Sequence, residues 1–404
     1  MRFASIPEAI EEFKRGRMVV VVDDPDRENE GDLLMAGEAC TQESMNFMIK
    51  HGGGVPFIPT TAERLATLGI PMMTKHNTAR LGTAMGETVD ALHGTTTGVS
   101  AHDRARTVAV FCDDKATPAD LARPGHIFPL RAEQGGVLRR AGHTEAGVDL
   151  CLLAGFKQVA VGCEIVAQDG TMMRLDDLME YVGRHGLKIV TIADLIAYRR
   201  KTERLVNRVA GPIDFPSKFG HFQLFAYETS VDAQPYVALV KGDVCTEEPV
   251  LARIHSSCLT GDLLGSLRCD CGDQLEMALD QIEKEGRGVL LYVAQEGRGI
   301  GLMNKLRAYE LQDKGMDTVE ANHALGFKAD LRDYGLGAQV LADLGLRKLW
   351  LLTNNPKKVS GLQGYGLEIV EHVPLLAEHA EPRARYIDTK REKLGHWMPD
   401  PKGS

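Results

Sequence analysis

At 404 residues the chain is too long for one ordinary hydrophobic core, and two domains of about 200 residues are the expected division. Its 44% hydrophobic and 25% charged residues are those of a soluble globular protein, and no apolar run reaches the length of about 18 residues that a membrane span needs. A formal net charge of -9 argues against a nucleic-acid binder, which shows a basic footprint, but leaves room for a local basic pocket for a phosphorylated small molecule.

The N-terminal stretch MRFASIPEAIEEFKRGR is amphipathic and acidic and has no apolar secretory core, which points to a cytoplasmic protein. Ser5 ahead of Ile6, Pro7 and Glu8 caps a helix expected to run to about Gly16. Met18 to Val22 reads as a buried strand that ends in the acidic turn DDPDRENEGD. Apolar runs and Gly-rich turns alternate onward to Leu195, the pattern of a mixed αβ domain. From Tyr198 to Phe219, the basic YRRKTERLVNR and the Pro- and Gly-rich GPIDFPSKFG read as the inter-domain connection. Strand-like HFQLFAYE, YVALVKGDV and VLARIHS follow, then a helix from Gln274 to Glu285 and a buried strand from Val289 to Val293. The expectation is an α/β protein of α+β character, with two distinct mixed αβ domains joined by a short linker, residues 1–199 and 200–404. The halves carry different motifs, so the chain is a fusion and not a duplication.

Eight cysteines are too sparse for a disulfide scaffold, and Cys40, Cys112 and Cys151 sit among apolar neighbours as small buried hydrophobes. Cys258, Cys269 and Cys271 differ, falling within fourteen residues of RIHSSCLTGDLLGSLRCDCGDQ. Three thiolates suit zinc and leave a fourth position for water, whose pKa the metal lowers. The alternatives are unpaired thiols or a structural site completed by His255. QEGRGIGL follows a buried strand, where ligands often bind; its glycines allow close backbone approach and its arginine can clamp phosphate. TNNPKK, after the strand Leu349 to Leu352, offers a hydroxyl, amides and two lysines to a triphosphate.

HSSCLTGD, SLRCDCG, QEGRGIGL, DTVEANHALGF and LLTNNPKK, in this order, closely resemble the GTP cyclohydrolase II family. That family opens the imidazole ring of GTP and releases formate and pyrophosphate. The resemblance implies zinc on Cys258, Cys269 and Cys271. It implies GTP contacts from Arg253, Ile254, His255, Ser256, Ser257, Gln274, Glu296, Gly297, Arg298, Thr318, Thr353 and Lys358. Asp330 matches the proposed proton acceptor and Arg332 the proposed nucleophile, although a guanidinium of pKa above about 12 is more easily read as a phosphate clamp. Met316 stands where several members have tyrosine. A thioether is a weak acceptor, so this departure predicts ring opening with impaired loss of the formyl group, unless the position only packs.

In the first half, DDPDRENEGD places Glu28, Glu30 and Asp32 at alternate positions, on one side if the segment is extended, although acidic turns are usually only solvated. RRAGHTEAGVDL adds His143 as a metal ligand, with Arg140 and Thr144 for a phosphate, and Glu164 is an acid on a buried strand. With TTTGVSAHDR and RPGHIFPL these segments resemble 3,4-dihydroxy-2-butanone 4-phosphate synthase, which converts ribulose 5-phosphate to a four-carbon phosphate and formate. The resemblance implies magnesium or manganese on Glu28 and His143. It implies substrate contacts from Arg27, Glu28, Asp32, Arg140, Ala141, Gly142, His143, Thr144 and Glu164, with His126 essential for activity. Thr95 to Thr97 and Asp103 fall in a loop that family dimers place near the active site. Pro56 replaces a frequent cysteine, and MGETVDA, residues 85 to 91, alters a strand. The combined reading is a homodimeric enzyme making both riboflavin precursors, with no nucleic-acid or membrane partner. The alternative is a GTP cyclohydrolase II alone, with an N-terminal scaffold.

Overall fold

The structure is a computed structural model that describes residues 2–25, 27–229, 231, 234–327, 334–355, 362 and 365–375. The chain divides into two compact units, Met1–Arg199 and Arg200–Ser404. Among the described residues each unit is built on a seven-stranded sheet.

Unit 1 contains strands β1 (Val19–Val22), β2 (Gly31–Ala36), β3 (Phe57–Thr60), β4 (Val89–Ala91), β5 (Leu121–Arg131), β6 (Ala160–Glu164) and β7 (Lys188–Thr191). Its helices are α1 (Ile6–Lys14), α2 (Gln42–Phe47), α3 (Ala62–Thr67), α4 (Ala101–Cys112), α5 (His143–Ala154), α6 (Leu175–His185) and α7 (Ile192–Thr202). The sheet order is β4-β5-β3-β6-β2-β1-β7. Helix α1 starts where expected: Ser5 and Glu8 form a reciprocal capping box that satisfies two otherwise orphaned N–H groups. β1 shows how the sheet builds two cores, since alternate side chains leave a strand on opposite faces. Val20, Val22, Leu33 and Met35 join Val108, Phe111 and Tyr181 of α4 and α6, whereas Val19, Val21, Leu34 and Ala36 join Ile10, Phe13 and Leu150 of α1 and α5. The altered segment 85–91 forms a strand only over Val89–Ala91; Glu87 points outward and its N–H donates to the Pro71 carbonyl. Pro56 is buried immediately before β3.

Unit 2 contains β8 (Val206–Ser217), β9 (Gly220–Thr229), β10 (Tyr236–Lys241), β11 (Val250–Ser256), β12 (Gly288–Val293), β13 (Lys348–Leu352) and β14 (Glu368–Val373). The helices are α8 (Cys271–Glu285), α9 (Leu302–Asp313), α10 (Thr318–Ala324) and α11 (Gly335–Asp343), and the sheet order is β14-β13-β11-β12-β10-β9-β8. The segment read from sequence as a connection is corrected here. Helix α7 runs to Thr202, and most of 198–219 then becomes β8, paired with β9. Pro212 and Pro216 are compatible with a strand because β8 lies at the sheet edge and its register shifts between Ala210 and Ile213. Leu251 and Leu290 face Leu279 and Ile282 of α8, while Gly337 of α11 approaches Ile254 and Leu291 on the other face. Because β11, β12 and β13 run parallel, their C-terminal ends open on one edge, the usual place for a ligand in such sheets.

Candidate active sites

In unit 1 the register places Val21 opposite Asp32 and Asp32 opposite Glu164, a row across β1, β2 and β6. His143, in the first turn of α5, comes down on this row. Its Nε2 lies 3.1 Å from the Val21 carbonyl, which can only accept, so Nε2 carries a proton and Nδ1 faces the acids. Nδ1 is 3.4 Å from Glu28 and 3.6 Å from Asp32. The segment 27–30 is a turn and not extended, with Asn29 at φ 57°, so tertiary packing and not alternation gathers Glu28 and Asp32. Asp23, which the sequence reading passed over, organises this turn: it accepts Arg27 Nη1 at 3.0 Å and the N–H groups of Glu28 and Glu30 at 2.9 Å each. Arg174 holds the other side by donating to the carbonyls of Glu28 and Asn29.

Burial pushes the Asp32 carboxyl up to about 7 against the pull of His143, and Glu164 adds to the rise. Burial alone would depress the imidazole, but Asp32 and the hydrogen bond to Glu28 outweigh it and lift His143 to about 9. Carboxylate oxygens crowded around one imidazole are a donor set that fits a hard divalent cation. One ligand atom each from Asp23, Glu28 and His143 lie within 4.8 Å of one another. Beside them, Arg27 Nη2 and Arg140 Nη1 reach within 3.1 and 2.5 Å of where a Cβ on Gly142 would stand, at the N-terminus of α5. Two guanidiniums at a helix N-terminus suit a phosphate. Arg140 is fixed by buried Glu145 at 2.7 Å; Thr144 is buried in the same turn and Ala141 is exposed.

Glu164 Oε2 accepts the Val55 N–H at 2.8 Å, and burial raises its pKa. His126 lies elsewhere, on β5, three strands from β2 and therefore about 14 Å along the sheet. Its Nδ1 meets Asp90 Oδ2 at 2.7 Å and its N–H donates to Asp90 Oδ1 at 2.9 Å. Asp90, another residue not singled out from sequence, sits on β4. The loop of Thr95 to Thr97 is tied to Asp103 by Thr96 Oγ1 at 2.8 Å and Gly98 N at 3.1 Å, and Gly98 packs on the Asp90–His126 pair.

In unit 2 a cleft opens at the ends of β11, β12 and β13. Of the residues named from sequence, Arg253, His255, Ser256, Ser257, Gln274, Glu296, Gly297, Arg298, Thr318 and Thr353 line it with the three cysteines. Ile254 does not: strand alternation turns it to the opposite face, against Gly337. Asp330, Arg332 and Lys358 lie outside the described residues. Met316 is half-buried ahead of Asp317, the cap of α10, and is not among the lining residues.

One sulfur each from Cys258, Cys269 and Cys271 lie within 4.8 Å of one another. Gly261 backs them so closely that a Cβ there would stand 2.9 and 3.1 Å from two sulfurs. Hydrogen bonds from Cys269 and Cys271, and the Lys305 ammonium, hold Cys258 far below the ordinary thiol range; the hydrogen bond to Cys258, with burial, pushes Cys269 up to about 11. Three sulfurs gathered in this way fit a soft divalent metal such as zinc. His255 has no ring nitrogen within that group of sulfurs; its Nε2 lies 3.0 Å from Asp262, which also accepts Tyr292 Oη and the Cys258 N–H at 2.9 Å each. Arg253 is buried, donating to the Leu352 carbonyl at 2.8 Å and to Gln274 at 2.7 Å. Gly297 and Arg298 both take φ 61°; for the arginine this left-handed conformation is strained, and such strain collects at ligand-binding turns. Lys305, Tyr309 and Gln312 on α9 also line the cleft. Their spacing along LMNKLRAYELQD was the one signal that could have found them.

The fold and these two sites define a fusion of two small-molecule enzymes, one on a sugar phosphate and one on a nucleotide. Residues 7–198 match the 3,4-dihydroxy-2-butanone 4-phosphate synthase family, and residues 207–374 match the GTP cyclohydrolase II family. Over 396 residues the chain is 55% identical to riboflavin biosynthesis protein RibBA of Bacillus mycoides and 56% identical to that of Bacillus cereus, covering 98% of this chain and 99% of each relative. Among solved structures it resembles RibBX, a two-domain 3,4-dihydroxy-2-butanone 4-phosphate synthase from A. baumannii, with a TM-score of 0.71 and 36% identity over 93% of this chain and 100% of that one. The chain belongs to the RibBA family of bifunctional riboflavin biosynthesis proteins, and both halves are enzymes.

Proposed function

We propose that each reaction runs on its own unit, residues 1–199 converting ribulose 5-phosphate to 3,4-dihydroxy-2-butanone 4-phosphate and formate. Residues 200–404 convert GTP to 2,5-diamino-6-ribosylamino-pyrimidinone 5'-phosphate, formate and pyrophosphate. The observation that carries this division is the presence of two separate donor sets, one of carboxylates and imidazole and one of three thiols.

In unit 1, Glu28 and His143 would hold magnesium or manganese, with Asp23 framing the turn. The metal supplies a Lewis acid that polarises a sugar carbonyl or hydroxyl. Arg27, Arg140 and the N-terminus of α5 bind the phosphate, Asp32 and Glu164 exchange protons with the sugar carbons, and Thr144 orients a hydroxyl. His126, three strands from β2 within one chain, would reach such a site in a homodimer whose β4–β5 edge meets the cluster of the second copy.

In unit 2, Cys258, Cys269 and Cys271 would hold zinc, which supplies a Lewis acid and a water of lowered pKa. The turn of Glu296, Gly297 and Arg298 binds the nucleotide with Thr318, Thr353 and Lys358, and Ser256 and Ser257 face the same cleft. Asp330 accepts a proton and Arg332 clamps the α-phosphate. A further magnesium accompanies the triphosphate. Among the described residues no helix is long and apolar enough to cross a membrane.

Formate is measured from each substrate with the purified chain, its Cys269→Ser variant and its Glu28→Gln variant. Cys269→Ser should abolish only the GTP reaction and Glu28→Gln only the ribulose 5-phosphate reaction. Loss of both activities in either variant would sink the assignment of one reaction to each unit.

A further inference from the structure

Lys305 stands on α9 between the sequence motifs of the nucleotide cleft. Its ammonium donates to Cys258 Sγ at 3.0 Å, Thr260 Oγ1 at 2.9 Å and Glu296 Oε1 at 2.7 Å. The other oxygen of Glu296 accepts the N–H of Leu259, the residue after Cys258, at 2.7 Å. A closed ring results: sulfur, ammonium, carboxylate, and the backbone beside the same sulfur. The side chains of Lys305 and Glu296 are only 11% and 15% exposed.

A lysine lining a nucleotide cleft is ordinarily a phosphate contact, but an ammonium has three donors and here each has an acceptor within the chain. None is left for a phosphate unless the ring opens. The ring also has an electrostatic reason. Three thiolates around a divalent metal leave one net negative charge in a largely buried place. One ammonium offsets it, and the ammonium in turn needs the carboxylate of Glu296.

We infer that Lys305 is a positioning residue that braces the metal site and couples it to the nucleotide turn. Through Cys258 it fixes a metal-binding sulfur, and through Glu296 it holds the Glu296–Gly299 turn against the cysteine loop. Zinc and GTP therefore stabilise the same arrangement, and loss of the lysine loosens both. The inference rests on the reading that the three cysteines hold zinc.

The test uses the full chain and the variants Lys305→Met and Lys305→Gln. Zinc affinity is measured by competition with a chromophoric chelator, and the thiolate-to-cobalt absorption is recorded after cobalt substitution. Lys305→Met should weaken zinc binding about 10- to 100-fold, the usual effect of losing a partner of a metal ligand, and should shift the cobalt band. At saturating zinc it should raise KM for GTP, and adding Glu296→Gln should then have less effect than in the parent. Lys305→Gln, which retains an N–H donor, should fall between. Zinc affinity within about twofold of the parent and an unchanged cobalt band in Lys305→Met would overturn the inference. Melting curves report the fold, and if Lys305→Met does not fold, the same criterion applies to Lys305→Gln. The parent and Cys269→Ser separate the two readings: equal zinc content in both would remove the metal site itself, and the role of Lys305 with it.

Discussion

Replacing Arg199 with leucine strands a buried carboxylate. Arg199, near the end of α7, donates from Nη1 to Asp149 Oδ2 at 2.7 Å and to the Gly135 carbonyl at 2.9 Å. The two side chains are 8% and 4% exposed, and the same Asp149 oxygen accepts the Val137 N–H at 2.8 Å. Removing one partner of a buried ion pair costs about 3–5 kcal/mol, because the remaining charge stays desolvated. For a unit of about 200 residues each kcal/mol moves the melting midpoint by about 2–4 °C, so a fall of about 6–20 °C is expected. The double variant Arg199→Leu/Asp149→Leu buries no charge. Both variants lose the Arg199 bond to the Gly135 carbonyl, and the double variant exchanges the stranded carboxylate for a stranded Val137 N–H, about 1–3 kcal/mol, so it should be more stable than the single variant. Calorimetry of the full chain reads both. The turn Gly136–Leu138 leads directly to Arg140, so KM for ribulose 5-phosphate should also rise in the single variant. A single variant melting within about 2 °C of the parent, or a double variant as unstable as the single, would refute the argument.

Three further substitutions probe the sites. Gly98→Ala introduces a Cβ 1.9 Å from Asp90 Oδ2 at a position with φ 88°, so formate from ribulose 5-phosphate should fall about 100-fold while formate from GTP is unchanged. Arg174→Ala releases the Glu28 and Asn29 carbonyls, and the magnesium concentration for half-maximal synthase activity should rise about 10-fold or more; an unchanged activation curve would show that Asp23 alone holds the turn. Gly261→Ala pushes a methyl group between the sulfurs of Cys258 and Cys269, and should weaken zinc binding by about 10-fold or more in chelator competition. Full zinc retention in that variant would mean that the cysteine loop shifts without loss of geometry.

Local pattern carried far where the chemistry is local. Ser5 and Glu8 define a helix start in four residues, four consecutive valines make a buried strand, and three cysteines within fourteen residues mark a candidate soft-metal site before any fold is known. The ordered motifs also carried the identity of both activities, since each motif is a contiguous stretch of sequence. Long-range pairing was not legible. Nothing in DDPDRENEGD says that Asp23 accepts the turn's N–H groups while Arg174, about 150 residues away, takes its carbonyls. Asp90 beside His126, and Lys305 between Cys258 and Glu296, depend on which strands and helices become neighbours. Pro212 and Pro216 read as linker because proline disfavours a central strand, and only the sheet order reveals that β8 is an edge. Sequence thus determined which donors and motifs the chain carries, because side-chain chemistry and local backbone preference travel with each residue. Tertiary structure alone decided which distant groups share an imidazole, a sulfur or a turn, because those contacts arise only when register and packing close the loops between them.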